Sequence, residues 1–345
     1  MDFTFDEVQE DLRGLAAKIV GEQVTAERLK ELEAGSERID RNLWAELAKA
    51  NLLGIGLPED DGGSGYGIME IGILLEEVGR NVAPVPALAT LVLGALPLAR
   101  FGTPDQRKQL LPGVIDGTTF LTAGMDEPAN HDPLRPTTIA QRDGSTWRLD
   151  GVKVGVPWAR LAERILVTAS AETGPERPSE RGQRGGVGVF LLDPSGPGVT
   201  LEATESTHRE PQGILTLEGA VVDDADVLGD PATSEVAEFM YRHALAGICA
   251  TAVGLFDKAV RITAGYISER EQFGKPLATF QGATLKAADA YIDTRAINVA
   301  AWSAIWKLAA GRQADDALAI AKFWVADGGQ RVAHACQHLH GGMGV

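Results

Sequence analysis

The sequence is short of positive charge: 32 Lys and Arg stand against 48 Asp and Glu, for a net charge of −16. That excludes a general nucleic-acid binder, whose phosphate contacts need a basic face, but not a local basic pocket for an anionic cofactor. Cysteine is scarce. Cys249 and Cys336 lie far apart in apolar helical contexts. They exclude a disulfide framework and a cysteine-based metal site, and predict two free buried thiols. No run of about eighteen apolar residues occurs, so no membrane-spanning helix is expected. No charged leader with an apolar core opens the chain. Met1-Asp2-Phe3 leads straight into an amphipathic helical pattern, and a cytoplasmic location is expected. Internal repeats and low-complexity tracts are lacking. What is present is an ordinary globular composition, 44% hydrophobic and 23% charged over 345 residues. That length exceeds one typical core and predicts two or three packed units.

The period of the apolar residues divides the chain into 1–121, 122–229 and 230–345. The first part reads as helical. Val8, Leu12, Leu15, Ile19 and Val20 recur at helical spacing, and a helix begins at Leu43-Trp44-Ala45-Glu46-Leu47-Ala48. Others run from Ile68 through Arg80 and, almost wholly apolar, from Ala87 to Phe101; Thr103 and Pro104 cap another. Glu59-Asp60-Asp61-Gly62-Gly63-Ser64-Gly65 reads as a turn, because three acids before the glycine pair argue against a phosphate cradle. In the second part the period becomes two. Segments 137–141 and 146–149 flank a hairpin turn at Asp143-Gly144, with further strands at 165–169, 187–192, 215–217 and 220–222. A polar loop at 174–185 separates two of them. In the third part the helical period returns over 236–268, 281–310 and 315–336. The expected fold is α+β: an N-terminal all-α domain, a small middle β-barrel or sandwich domain, and a C-terminal four-helix-bundle domain, whose exposed apolar stripes would drive oligomer formation.

Residues 268–281, Ser-Glu-Arg-Glu-Gln-Phe-Gly-Lys-Pro-Leu-Ala-Thr-Phe-Gln, carry two readings. In one they end a helix. Arg270 complements the dipole in the last turn, Gly274 supplies a left-handed stop, and Pro276 cannot continue. That leaves Gln272 and Phe273 unexplained. In the other the stretch grips a phosphate-bearing ring cofactor, with Arg270 on a phosphate oxygen and Phe273 against an adenine or flavin edge.

Several stretches in order resemble the acyl-CoA dehydrogenase family. They are Leu52-Leu53-Gly54-Ile55-Gly56-Leu57-Pro58-Glu59 with Gly62-Gly63 and Glu76-Glu77-Val78-Gly79; Asp126-Glu127-Pro128; Leu149-Asp150-Gly151-Val152-Lys153; Arg270-Glu271-Gln272-Phe273-Gly274; and Gln337-His338-Leu339-His340-Gly341-Gly342-Met343-Gly344. The resemblance covers nearly the whole chain. It implies FAD-dependent α,β-dehydrogenation of an acyl-CoA thioester: a carboxylate takes the α proton and the flavin accepts the β-hydrogen as hydride. It implies an electron-transfer flavoprotein as acceptor. It also implies an FAD shared between subunits, its ring in one β domain and its adenine and pyrophosphate end on a neighbour's Arg-x-x-Phe-Gly and Gly-Gly segments.

The departures from the family pattern cluster. Ala129-Asn130-His131-Asp132-Pro133 stands where the family has Gly-x-Gly-Ser-Asp, and Gly155-Val156-Pro157 where it has Trp-Ile-Thr. Trp158 is three positions off register, which on a strand points it to the other face. One family position for the base falls on Ala244, with Leu245 beside it; the other lies on a helix beyond Val345. The resemblance therefore assigns no catalytic residue and no metal ligand here. It assigns cofactor contacts to Arg270, Gln272, Phe273, Gln281, His338, Gly341 and Gly342, with His338 rather than Gln337 in register with the glycine pair.

Three functions follow. The chain could complete the FAD site of a second, homologous subunit that carries the base. Actinobacterial enzymes resembling it are α2β2 assemblies acting on steroid side-chain CoA thioesters. It could be a self-sufficient homotetramer, with Trp158 replacing the lost Trp and a base beyond Val345. Or it could be a non-catalytic scaffold for CoA esters or a partner protein. His131 reads as a surface-loop histidine, Asp126 and Glu127 as structural acids, His338 and His340 as no metal pair, and Trp302 and Trp306 as core or interface.

Overall fold

The computed structural model describes residues 4–130, 132–172 and 186–344. His131 and the 174–185 loop lie outside the described residues. The helices are α1 (Glu7–Gln23), α2 (Ala26–Ala34), α3 (Arg41–Lys49), α4 (Ile68–Arg80), α5 (Leu96–Phe101), α6 (Pro104–Ile115), α7 (Glu235–Glu269), α8 (Gln281–Ala309), α9 (Asp315–Phe323) and α10 (Gly329–Leu339). The strands are β1 (Leu121–Gly124), β2 (Ile139–Asp143), β3 (Thr146–Pro157), β4 (Arg164–Glu172), β5 (Val187–Leu192), β6 (Val199–Glu205), β7 (Pro211–Asp223), β8 (Val227–Leu228), β9 (Glu271–Gln272) and β10 (Lys275–Pro276). The expected order of helical, β and helical parts is therefore present. Two compact units emerge: Met1–Thr25, Gly67–Ala83 and Leu245–Val345 form one, and Ala26–Tyr66 with Pro84–Ala244 the other.

In the first unit α1 opens on a capping box, with Gln9 N–H donating to Asp6 Oδ1 at 2.8 Å, and buries Leu12, Ala16 and Val20. Leu15, part of the expected stripe, is exposed; the buried face steps by four along a single line. α4 and α7 cross at glycine. A Cβ on Gly79 would lie 1.9 Å from the Thr251 carbonyl oxygen, and one on Gly254 would lie 1.8 Å from that of Glu76. Around the crossing Arg80 pairs with Glu76, Glu77 and Asp257, and the Trp302 indole N–H donates to Glu76 Oε2 at 3.1 Å. Burial raises the Glu76 pKa, against the pull of Arg80. The Glu-Glu-Val-Gly stretch thus holds helices together, and Trp302 is a core residue.

In the second unit a mixed sheet runs β6-β7-β3-β2-β4-β5-β8, with β1 paired in parallel to β4. It does not close into a barrel. β2 and β3 form the expected hairpin, with Gly144 at φ 64°. Trp147 packs on Phe190 at 5.4 Å inside a core of small and branched residues that includes Val156, Leu215 and Leu217. The acidic glycine-rich loop is a turn as expected, one 3₁₀ turn over Glu59–Asp61 ended by Gly62 at φ 87°. α6 has its Thr103 cap and N-terminal proline.

Two apolar runs read as single helices are interrupted by π-helical segments, Leu88–Ala95 before α5 and Trp324–Gly328 between α9 and α10. In the first, a widened turn leaves no mark on the spacing of a run that is almost wholly apolar. Cys249 and Cys336 are free and buried, as expected. Among the described residues no helix is long and apolar enough to cross a membrane.

Candidate cofactor site

α7 ends at Glu269, and the chain turns back at once. Leu277 N–H donates to the Arg270 carbonyl at 2.9 Å and closes a short hairpin of β9 and β10. Its two central residues, Phe273 and Gly274, both have positive φ, 54° and 77°, as the tightest hairpin turns require. Gly274 therefore serves the hairpin rather than the end of the helix. The backbone of Arg270 makes the helix end, its N–H donating to the Tyr266 carbonyl at 2.8 Å. Its guanidinium is left over for another purpose. Glycine is the usual choice for left-handed backbone, so Phe273 is strained there. The residue is 92% exposed, and its ring meets Phe280 in a T-shaped arrangement at 6.1 Å.

Beside this hairpin lies a cavity of about 500 Å³. Arg270, Gln272, His338, Gly341 and Gly342 line it together, although they come from the end of α7, the hairpin, and the end of α10 with the 3₁₀ turn Gly341–Gly344. Phe273 and Gln281 are exposed close by in sequence but are not among its lining. Sequence reasoning missed Tyr266, Lys286 and His340, which also line it. Tyr266 could have been found, since it lies one helical turn before Arg270 on the same face. His340 stacks on Tyr266 at 4.4 Å, and its Nδ1 hydrogen bonds to the Cys336 carbonyl at 2.8 Å, which fixes the ring. No lining residue is Asp or Glu. Neither Arg270 nor Lys286 forms an ion pair among the described residues, in a chain carrying −16 overall. Unpaired cations converging on a cavity suit an anion, and a guanidinium suits phosphate oxygens best.

The glycines add to this. A Cβ on Gly342 would meet nothing within 4 Å, and its φ lies outside the left-handed range. Among the described residues nothing crowds the position, so the turn leaves room for close approach of a ligand.

The β motifs behave differently. Lys153 Nζ donates to Glu127 Oε1 at 2.7 Å, with both side chains buried. Thr137 and Thr138 each add a backbone and a hydroxyl donor to the same carboxylate, at 2.5 to 2.9 Å. Burial opposes ionisation of Glu127, but the hydrogen bonds from Lys153 and the threonines outweigh it and hold its pKa well below the carboxylate range. A Cβ on Gly151 would lie 2.5 Å from Thr138 Oγ1. Asp-Glu-Pro and Leu-Asp-Gly-x-Lys therefore form one internal brace.

Of the positions where the family's flavin-facing residues are replaced, Ala129, Asp132 and Gly155 are exposed, and Asn130, Val156 and Pro157 make contacts within the chain. Asn130 Nδ2 donates to Glu127 Oε2 at 3.1 Å and to the Arg135 carbonyl at 3.0 Å, while its Oδ1 accepts from Asp132 N–H at 3.1 Å. Val156 is in the core, and the Pro157 carbonyl accepts from Thr122 Oγ1 at 2.6 Å. Trp158 is 5% exposed, and its indole N–H donates to Glu210 at 2.9 Å.

Comparison with known proteins accounts for this set of motifs. The description "Acyl-CoA dehydrogenase, N-terminal domain" matches residues 6–118, and "Acyl-CoA dehydrogenase, C-terminal domain" matches 236–345. Acyl-CoA dehydrogenase FadE28 of Mycobacterium tuberculosis is 37% identical over 322 residues, 93% of this chain and 88% of its own. The chain belongs to the acyl-CoA dehydrogenase family. FadE27 of the same organism is 34% identical over 353 residues, spanning 100% of this chain and 90% of its own. Among solved structures, a Tcur3481–Tcur3483 steroid ACAD variant superposes with TM-score 0.89 at 40% identity, covering 98% of this chain and 88% of that one. The ChsE4–ChsE5 complex from Mycobacterium tuberculosis superposes with TM-score 0.91 at 34% identity, covering 100% and 89%. FAD is the cofactor of acyl-CoA dehydrogenases, and it takes up the hydride that leaves the substrate. The lining of the cavity fits the diphosphate end of that molecule: cations, imidazoles and an open glycine turn, with no acid.

Proposed function

We propose that this acyl-CoA dehydrogenase chain is one subunit of a heteromeric enzyme. It holds the adenine and diphosphate end of an FAD whose ring lies in a homologous partner, and that partner brings the catalytic base. The observation that carries the reading is the contrast within the chain. Arg270 lines an acid-free cavity with no carboxylate partner among the described residues, whereas Asn130 and Val156, at replaced positions of the flavin-facing motifs, are spent on internal contacts.

One of the family's two base positions is vacated here, which supports it. Ala244 and Leu245 carry no acid, and the neighbouring His243 is no substitute. Burial pushes its pKa down to about 4, too low to draw a proton from carbon near pH 7. Its Nδ1 bonds to the Phe239 carbonyl at 2.8 Å and its ring stacks on Phe239 at 3.7 Å. The buried, hydrogen-bonded indole of Trp158 gives no support to a self-sufficient homotetramer. Exposed apolar residues at seven-residue spacing, Ile248, Leu255 and Ile262 on α7 and Leu285, Ile292 and Val299 on α8, suit a subunit interface.

The test is co-expression with the partner encoded beside it and a count of flavin per α2β2 tetramer. Two FAD are expected. Four, or full flavin loading of this chain alone, would overturn the reading. Because a steroid enzyme is 40% identical, the acyl group proposed is a steroid side chain, and the acceptor an electron-transfer flavoprotein. A tetramer that turns over butyryl-CoA in preference to a steroid-CoA thioester would refute that substrate.

A further inference from the structure

Two features of the cavity wall contributed by α8 lie outside the family motifs that brought the site to notice. Lys286 lines the cavity with no ion-pair partner among the described residues. Gly282, four residues earlier, lines it as well, and residues four apart share one helix face. Gly282 is the second residue of α8, where glycine costs less than the about 1 kcal/mol of a helix interior. An added Cβ there would meet no atom within 4 Å among the described residues, and φ is not left-handed, so the wall is open at this point. The same wall is the first two turns of a 29-residue helix, whose positive dipole end adds to the charge of Lys286. A cation with no ion-pair partner among the described residues, beside a helix N-terminus and a glycine that leaves the wall open, gives a surface that an anionic ligand can approach closely.

We propose that the Gly282–Lys286 face of α8 is the second wall of the site, and that Lys286 binds the diphosphate of FAD jointly with Arg270. Tyr266 and His340, stacked on each other, act as positioning residues that hold the Gly341–Gly342 turn against it. This rests on reading the cavity as the site for the nucleotide end of FAD. Coenzyme A carries an adenosine diphosphate too, so the test separates the two sources.

The full chain, without partner, is titrated with ADP, FMN and coenzyme A by calorimetry, alongside Lys286→Gln, Lys286→Arg and Gly282→Gln. ADP is expected to bind at least about tenfold more tightly than FMN, which has one phosphate. Lys286→Gln should weaken ADP by about tenfold or more, and Lys286→Arg should restore most of that. Gly282→Gln should raise the unfolding temperature, because it improves the helix, and still weaken ADP. A merely structural residue would move both in the same direction. Unchanged ADP affinity in Lys286→Gln, or tighter binding of coenzyme A than of ADP, would overturn the proposal. If Lys286→Gln leaves FAD retention in the assembled tetramer intact while Arg270→Ala abolishes it, this inference fails and the heteromeric reading survives. If the tetramer holds four flavins but Lys286→Gln still loses ADP, the heteromeric reading fails and this one survives.

Discussion

Phe273→Asn separates what the hairpin does for the chain from what it does for a ligand. The wild-type ring sits at φ 54°, a conformation costing an L-residue about 1–2 kcal/mol, which asparagine tolerates far better. Against that relief stands little packing. The residue is 92% exposed, and its ring meets Phe280 in a T-shaped arrangement at 6.1 Å. Such pairs contribute about 0.5–1.5 kcal/mol when buried, and less in water. The two terms nearly cancel, with the balance on the side of relief. The Phe273→Asn chain should therefore unfold at the same denaturant midpoint as the parent or slightly above it, by at most about 1 kcal/mol. The cofactor should respond in the opposite sense. In the assembled enzyme, FAD release followed by flavin fluorescence should become about tenfold easier if the ring lies against the cofactor. A variant destabilised by more than about 1 kcal/mol would show that the ring packs within its own chain. A stable variant that keeps its FAD would show that the exposed ring serves no ligand. Either result refutes the reasoning.

Three further outcomes follow from the packing. Lys153→Met strands the Glu127 carboxylate without its buried cation and should cost about 3–5 kcal/mol in thermal or urea unfolding, with Glu127→Gln added on top recovering part of it. Because the folded pKa of Glu127 is depressed, its contribution is fully present above the unfolded value near about 4.3 and is lost as pH falls below that toward the folded one; parent stability should drop in acid more steeply than that of the double variant. Gly254→Ala puts a methyl 1.8 Å from the Glu76 carbonyl oxygen and should destabilise by about 3 kcal/mol or more, unless α4 and α7 separate, which circular dichroism with a lowered unfolding temperature would report. Thr90 Oγ1 is buried with no hydrogen-bond partner among the described residues, so the isosteric Thr90→Val should raise stability by about 1 kcal/mol.

Much of this was legible in the sequence because the signals were periodic or local. The apolar spacing of α7 gave a helix over 236–268, and the structure has Glu235–Glu269. The threonine-proline start of α6 and the glycine of the β2–β3 turn were equally local. What escaped was set by partners distant in sequence. β1 is four buried residues whose strand character comes from pairing with β4, and four residues cannot announce a period. The role of Gly274 depended on Phe273 also adopting positive φ, which no propensity favours. Lys286 and His340 belong to the cavity because three chain segments converge there, and neither stands out in its own segment.

The retained motifs also differ in what they can say about function. Read along the sequence, five matches to one family weigh alike. In the structure, Asp126-Glu127-Pro128 and Leu149-Asp150-Gly151-Val152-Lys153 are the two halves of one buried ion pair with its threonine donors, and Glu76 through Gly79 pins a helix crossing. Selection on folding alone would keep all of these, so their presence carries no information about a flavin. The informative positions are those whose side chains or missing side chains have no use inside the chain. Among the described residues Arg270 has a guanidinium and no acid partner, and Phe273 is exposed in a strained backbone conformation; Gly282 and Gly342 leave the cavity wall open beside them. These cluster at one end of the helical unit. In the β unit Asn130 and Trp158 hydrogen bond within the chain and Val156 lies in the core, while Ala129, Asp132 and Gly155 are exposed. On the proposed heteromeric reading, the first set is kept because this chain still holds the adenine and diphosphate end of the cofactor, while the ring is left to the partner.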